Sequence, residues 1–365
     1  MGFGRPGWSP FQASNTGSEI SDLERHMMAS IATDFMSEFR VPGLAVAIAH
    51  DGRLAYNEAF GWSDRNAHTK LTPASLFRIA SVTKPITATA IFLLIEEGRL
   101  EQNQKVFGKG GILSTRYGTP PYKQYVEDIT IDHLLTHTPG GWDNRGDDPM
   151  FSHQEMDHAQ LIGWTLDNQP LSTPPGRNYA YSNFGYCVLG RIIEHVSGMS
   201  YEKFISSRVL ARCGVRDMRI AGNRLEDRAA EEVTYYGQSG ENPYNMNVAR
   251  MDSHGGWLAT AADLVQFAEH VDGFTTTPSL LRPETIRLMT RASSANRGYA
   301  RGWAVNDLQN WWHMGSLPGT TTIMARISSG FCWAALTNTR SGDAMNLGLD
   351  NLVWDMARRV KAWKV

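Results

Sequence analysis

Ser81 and Lys84 are the residues of this chain whose types and spacing most directly suggest chemistry. Residues three apart share a helix face, so a helix opening at Ser81 sets the Lys84 amine beside the Ser81 hydroxyl. A desolvated amine can accept the proton of that hydroxyl. The free N–H groups of a first helical turn favour negative charge developing on an attacked carbonyl. The pair is therefore a candidate nucleophile with its base. The letters Ser-x-x-Lys recur at Ser200 and Lys203, just after Gly198, and there the serine reads as the N-cap of a surface helix. Context separates the copies. Ser81 leads into Val-Thr-Lys-Pro-Ile-Thr-Ala-Thr-Ala-Ile-Phe-Leu-Leu-Ile, apolar on all sides, whereas the second segment carries Glu202, Lys203 and Arg208.

A serine–lysine pair needs a third group to handle protons. Pro175-Gly-Arg-Asn-Tyr-Ala-Tyr181-Ser-Asn183 precedes a helix over Tyr186 to Val196, so Tyr181 and Asn183 are placed in the turn before it, able to project into a cleft. Trp311-Trp-His313-Met-Gly315-Ser316-Leu-Pro-Gly319 reads as a strand ending in a tight turn. A histidine on a strand edge beside glycine can present its ring while the following N–H stays open to an oxyanion. His254-Gly-Gly256 repeats the His-x-Gly letters but feeds a helix, and is read as backbone geometry. His133 and His137 lie at i, i+4, but no third ligand stands close by, and both are read as hydrogen-bonding the turn that follows. No metal or cofactor is expected.

Positioning these groups requires a sheet and a helical layer. Glu19 to Phe39 has helical spacing, with Ile20, Leu23, Met27, Ile31, Phe35 and Phe39 on one face. Leu44 to Ala49 and Arg53 to Phe60 read as strands joined by the Asp51-Gly52 hairpin signal. Residues 81 to 230 carry helices and Pro/Gly-rich loops with little strand signal. Thr260 is a plausible cap with Asp263 at the third helical position. Strands return at Tyr299–Val305, Asn310–Met314, Thr320–Ile327 and Phe331–Leu336, with a last hairpin turn at Ser328 to Gly330, before an amphipathic helix from Asp343 to Val360. The fold class expected is α+β: an antiparallel sheet flanked by terminal helices, formed by 18–80 and 231–365, interrupted by a mostly helical insertion over 81–230, with 1–17 an extended arm. Gly2, Gly4 and Gly7 spell a dinucleotide fingerprint, but no strand precedes them and no helix follows.

The chain has 365 residues, 42% hydrophobic and 20% charged, with a net charge of -2. This describes a globular protein with no electrostatic reason to bind nucleic acid or an anionic membrane. No apolar run is long enough to span a bilayer. Met1 to Thr16 lacks the apolar core of a secretory signal, so the sequence as written reads as cytoplasmic, with a periplasmic or secreted location open if a leader precedes it. Cys187, Cys213 and Cys332 are too few and too scattered for a disulfide framework and read as core residues. No G-x-S-x-G nucleophile elbow is present.

Ser81-x-x-Lys84, then Tyr181-x-Asn183, then His313-x-Gly315, in that order, resemble the serine β-lactamase and penicillin-recognising superfamily, specifically its class C-like branch of β-lactamases, carboxylesterases, D-aminopeptidases and acyltransferases. His133-Leu-Leu-Thr-His-Thr-Pro-Gly140 and the Gly256 to Asp263 segment extend the likeness over roughly residues 40 to 340. The resemblance implies acyl transfer through a covalent acyl-serine. Ser81 would attack a carbonyl, with Lys84 and Tyr181 sharing the proton transfers. The N–H groups of Ser81 and Ser316 would form the oxyanion hole, and Asn183 would hold Lys84 or touch substrate. Phenolate character at Tyr181 would need positive charge from Lys84, with His313 nearby. The third motif begins with histidine, where class C β-lactamases usually have lysine. A largely uncharged group at that position favours an ester or amide of a small molecule or short peptide without an obligatory carboxylate. A carboxylesterase or peptidase-like amidase is expected. A β-lactamase or acyltransferase using the same site, and a non-catalytic binder, are the competing readings. Trp142, Trp257, Trp311 and Trp312 are candidates for an aromatic wall or for core. Oligomeric state is not legible.

Overall fold

A computed structural model describes residues 20–145, 148–238, 240–361 and 363. The N-terminal arm and the glycines at 2, 4 and 7 lie outside these. The strands are β1 (Gly43–His50), β2 (Arg53–Asp64), β3 (Thr69–Lys70), β4 (Phe77–Arg78), β5 (Arg219–Ile220), β6 (Trp257–Ala259), β7 (Ala304–Val305), β8 (Trp311–Leu317), β9 (Thr320–Ile327) and β10 (Phe331–Thr337). The helices are α1 (Asp22–Phe39), α2 (Thr83–Glu96), α3 (Ile131–Leu135), α4 (His158–Asn168), α5 (Asn183–Ser197), α6 (Tyr201–Phe204), α7 (Ala261–Glu269), α8 (Pro283–Met289) and α9 (Gly342–Arg359). One antiparallel sheet runs β3-β2-β1-β10-β9-β8-β7, and a small second one runs β4-β6-β5.

The main sheet is assembled by local signals. Ser21 and Glu24 form a capping box that starts α1, and Arg40, in the left-handed region at φ 53°, ends it. Asp51 and Gly52 both have positive φ, as a two-residue hairpin turn with the native twist requires. Alternation along β1 then decides what each face receives. Leu44, Val46 and Ile48 join the core beneath α1 and α9, whereas Ala45, Ala47 and Ala49 join the core that includes α2, α5 and α7. On β10, Trp333 and Ala335 face the first core, and Cys332, Ala334 and Leu336 the second. Small residues on that second face let α7 lie against β1 and β10. No helix among the described residues is long and apolar enough to cross a membrane.

Several sequence expectations are corrected. The buried stripe of α1 is Met28, Ala32 and Phe35, while Leu23 is 71% exposed, because the helix turns that stripe toward α9 and β1, against which it packs. Asn183 is the first residue of α5 rather than part of the preceding turn, since Ser182 is the cap and accepts from the Gly185 N–H. Trp257 to Ala259 form a strand before α7 begins. The expected strand from Tyr299 shrinks to two residues. Arg219 and Ile220 contribute a strand from within 81–230. The Thr260–Asp263 capping box is present, and all three cysteines are buried and free.

Candidate active site

Ser81 sits in a single 3-10 turn, Ala80–Val82, that delivers the chain into α2. Ala80 has φ 48°, a conformation that costs a non-glycine residue about 1–2 kcal/mol and must be imposed by its surroundings. Those surroundings are β9 and β8. Thr320 Oγ1 donates to the Arg78 carbonyl at 2.9 Å and Thr322 Oγ1 to the Ile79 carbonyl at 2.8 Å. Ile79 N–H donates to the Trp257 carbonyl at 2.9 Å. Gly315 presses against the same turn: a Cβ there would meet the Ile79 oxygen and Thr322 Oγ1, each at 2.3 Å, and the Ala80 Cβ at 3.0 Å. The glycine is thus required by close approach, and it brings the Ser316 segment alongside Ser81. The Ser81 hydroxyl is not used as a cap; α2 has no side-chain cap.

Lys84 is fully buried. Its Nζ donates to Asn183 Oδ1 at 2.7 Å and the His254 carbonyl at 3.1 Å, and lies 3.0 Å from Ser81 Oγ. The first two partners can only accept, so they hold two N–H bonds. In the neutral amine, the third direction, toward Ser81, is then the lone pair. Burial pushes the Lys84 ammonium well below its ordinary range, opposed by the charge of Asp148. The site therefore favours the neutral form that can take a proton.

Tyr181 is hydrogen-bonded to Ser81, and burial raises its phenol well above the ordinary range against that bond. The Lys84 Nζ lies over the Tyr181 ring, 4.7 Å from its centroid. The expected phenolate is not supported: the amine sits on the ring face, and the tyrosine is held as a proton donor. His313 does not assist either. Its fully buried ring has its pKa pushed down to about 3 by burial and by Lys84, so it is neutral.

The rings behind Tyr181 form a directed chain. The Ser182 N–H can only donate, so His137 Nδ1 accepts it at 3.0 Å and His137 Nε2 carries the proton. Nε2 then donates to Tyr299 O at 3.1 Å, and Tyr299 O–H donates to His313 Nε2 at 3.1 Å. His313 Nδ1–H ends the chain on the Met314 carbonyl at 2.7 Å. His137 also accepts Ala180 N–H through its carbonyl at 2.8 Å and packs on Tyr181 with ring centroids 4.3 Å apart. It thereby brackets Tyr181 on both sides. His133 completes a capping box with Thr130 at the start of α3. Both histidines thus make structural hydrogen bonds, but their rings reach the N-cap residue Thr130, Ser182 and Tyr299 rather than the turn that follows, which is where the sequence reading places those bonds.

The structure brings Ser81, Lys84, Tyr181 and Asn183 together, with His313 and Gly315 bordering them and Ser316 exposed at the rim. A cavity of about 240 Å³ beside them is lined by Tyr181, Tyr299, Ala304, Trp312, His313 and Met314. Trp312 belongs to this wall, whereas Trp142, Trp257 and Trp311 are core. A larger cavity, about 400 Å³, lies away from the nucleophile around Asp132, His133 and Arg301. Sequence reasoning missed Tyr299 and Asp148. Asp148 stands in a loop with no periodicity, and Tyr299 was read only as a strand residue.

The chain is similar to several known proteins. Penicillin-binding protein 4 of Amycolatopsis lactamdurans is 27% identical over 331 residues, covering 83% of this chain and 82% of that protein. Esterase EstB of Burkholderia gladioli is 32% identical over 197 residues, 50% of this chain and 48% of EstB. Among solved structures, D-amino acid amidase from Ochrobactrum anthropi SV3, complexed with L-phenylalanine amide, superposes with TM-score 0.76 at 22% identity, covering 93% of this chain and 99% of that one. Matches to such curated relatives span from 40% to 82% of their lengths. The profile of the family described as Beta-lactamase matches residues 21–355, and the chain belongs to that family.

Proposed function

We propose that this protein is a serine hydrolase that opens ester or amide bonds through an acyl-Ser81 intermediate. The observation that carries this reading is the buried Lys84 amine, with two N–H bonds on obligate acceptors and its remaining direction on Ser81 Oγ. As Ser81 Oγ bonds to the carbonyl carbon, its proton passes to Lys84 Nζ, and the carbonyl π pair moves onto oxygen, facing the N–H groups of Ser81 and Ser316. Collapse of the tetrahedral species breaks the bond to the leaving group, which takes a proton from Tyr181. The Lys84 ammonium restores that proton. Water then attacks the acyl carbon, gives a proton to the Lys84–Tyr181 pair, and Ser81 leaves with one, so ester or amide plus water becomes acid plus alcohol or amine.

The substrate side follows from the cavity. Its lining is aromatic and apolar, and its histidine is neutral, so an uncharged group fits and a carboxylate has no cationic partner there. A carboxylesterase or peptidase-like amidase acting on a small molecule or short peptide is therefore favoured over a β-lactamase. The names of EstB and of the D-amino acid amidase fit the same two bond types.

A fluorophosphonate probe should add once to the wild-type protein, on Ser81, and not to Ser81→Ala. Turnover of p-nitrophenyl esters or aminoacyl amides should exceed that of a chromogenic cephalosporin. A protein that takes no label and turns over none of these is a binder, and the hydrolase reading is then wrong.

A further inference from the structure

Behind the serine–lysine pair lies a buried carboxylate with no role in the chemistry described so far. Asp148 Oδ2 accepts from Asn183 Nδ2 at 2.7 Å, and Asn183 Oδ1 in turn accepts from Lys84 Nζ at 2.7 Å. Asp148 Oδ1 accepts the Met150 N–H at 2.9 Å. Both carboxylate oxygens are thus used as acceptors, the pattern of the ionised group, although Asp148 is only 5% exposed; burial raises its pKa, and the bonds from Asn183 and Met150 and the charge formed on Lys84 oppose that rise. Its loop is fixed by Arg250, itself buried. One guanidinium nitrogen donates to the carbonyls of His153 and Met156, both at 2.6 Å, and the other to those of Met150 at 3.1 Å and Ser152 at 3.0 Å. Asp148 is therefore held in place rather than free to swing to solvent.

We infer that Asp148 is a positioning residue for proton transfer, locking the Asn183 amide with its oxygen toward Lys84 and stabilising the ammonium formed when Lys84 takes the Ser81 proton. The physical reason is directional. An amide can present either oxygen or N–H₂ to Lys84, and only the oxygen favours a positive charge there. The carboxylate decides the matter, because it accepts only from the N–H₂ side. Its negative charge then acts on Lys84 through one intervening amide in a water-poor interior, where charges interact strongly. The arrangement repeats the logic of an acid that orients a base that activates a hydroxyl, with an amide inserted between acid and base. The inference rests on the hydrolase reading above.

The other groups facing Lys84 do not supply this charge. Ser81 and the His254 carbonyl are neutral, Tyr181 and Tyr186 present ring faces, and burial holds His137, His254 and His313 uncharged. Asp148 is the anion coupled to Lys84. The sign of its effect follows. Lys84 must be neutral to act as base, so activity rises with pH as Lys84 loses its proton. Removing the Asp148 charge makes that loss easier and moves the acid limb to lower pH. It also weakens the base, so the plateau falls.

The test is the rate of fluorophosphonate adduct formation on Ser81, followed by intact mass from about pH 5 to about pH 10 for wild type and Asp148→Asn. The expected result is an acid limb displaced downward by about one pH unit or more, with a plateau lowered about tenfold or more. Asp148→Glu, which keeps the charge, should return the limb toward wild type. Asp148→Ser keeps a hydroxyl for the Met150 N–H and serves if the asparagine variant does not fold. A limb that stays in place while the plateau and melting temperature fall means Asp148 merely supports the loop, and overturns the inference. Absence of labelling in wild type overturns instead the hydrolase reading, so the two failures are distinguishable.

Discussion

Two stretches of this chain spell Ser-x-x-Lys at a helix start, and the structure treats them in opposite ways. Ser200 caps α6: its hydroxyl accepts the Lys203 N–H at 3.4 Å, and the Lys203 side chain is exposed. Ser81 caps nothing. Its turn is held by Thr320 and Thr322 from β9 and pressed by Gly315 from β8, and its lysine is buried against Asn183 and the His254 carbonyl. The four letters are therefore neutral as to function. What equips the first pair for the proposed chemistry is that water is excluded from the amine and that the Ser81 hydroxyl caps no helix, leaving it to Lys84 and Tyr181.

The largest effect expected from this contrast is on the lysines. Lys84→Ala should slow acylation of Ser81 by about 10²–10⁴-fold, the range for losing a positioned general base. Lys203→Ala should leave turnover of a p-nitrophenyl ester unchanged, since an exposed amine on a short helix touches neither cavity nor nucleophile. Steady-state rates and probe-labelling rates for both variants decide this. Comparable losses in the two would mean that burial is not what distinguishes the copies.

A smaller effect is expected where the sheet presses on the first copy. In Gly315→Ala the new methyl would overlap the Ile79 carbonyl and Thr322 Oγ1, so the Ala80–Val82 turn must shift. Misplacing a reacting atom by about 1 Å costs on the order of 10²-fold in rate. We expect kcat to fall by about that much, accompanied by a lower melting temperature. A variant with normal kcat would show that the approach of β8 is not needed to aim Ser81.

The elements that follow local rules were legible in the sequence. The hairpin at Asp51-Gly52, the capping box at Thr260 and Asp263, the strand Thr320–Ile327 and the buried helix after Ser81 depend on neighbours within a few positions. The convergence of Ser81, Lys84, Tyr181 and Asn183, though long-range, was legible as well, through the order of the motifs and the family resemblance that this order carries. Illegible were features imposed from far along the chain. Asp148 acquires meaning only because Arg250, about a hundred positions later, gathers the carbonyls of its loop. Tyr299 matters because its hydroxyl meets His137, 162 positions earlier, as well as His313, 14 positions later. The orientation of α1, which exposes Leu23, goes with its packing on β1 and on α9, the last helix. Tyr181 was expected to lean toward phenolate on counting nearby positive charge, but burial outweighs it and Lys84 lies over the ring instead.

The smallest expected effect sharpens the comparison most, because it tests the Ser200 copy where it touches the Ser81 copy. Ser200 starts the short helix α6, whose Tyr201 hydroxyl is 2.6 Å from Thr87 Oγ1 on α2, three residues beyond Lys84. Loss of the cap could in principle reach Lys84 through that contact. However, Tyr201 N–H is separately held by Glu194 Oε1 at 3.0 Å, and Thr87 Oγ1 also donates to the Ser253 carbonyl at 2.7 Å. With those bonds intact, Ser200→Ala removes one long, exposed hydrogen bond. It should lower stability in a denaturant titration by about 0.5–1 kcal/mol, while kcat and the labelling rate of Ser81 stay at wild-type values. A clear loss of activity at unchanged stability would show that the second copy communicates with the first along α2, and the division between a cap and a nucleophile would no longer hold.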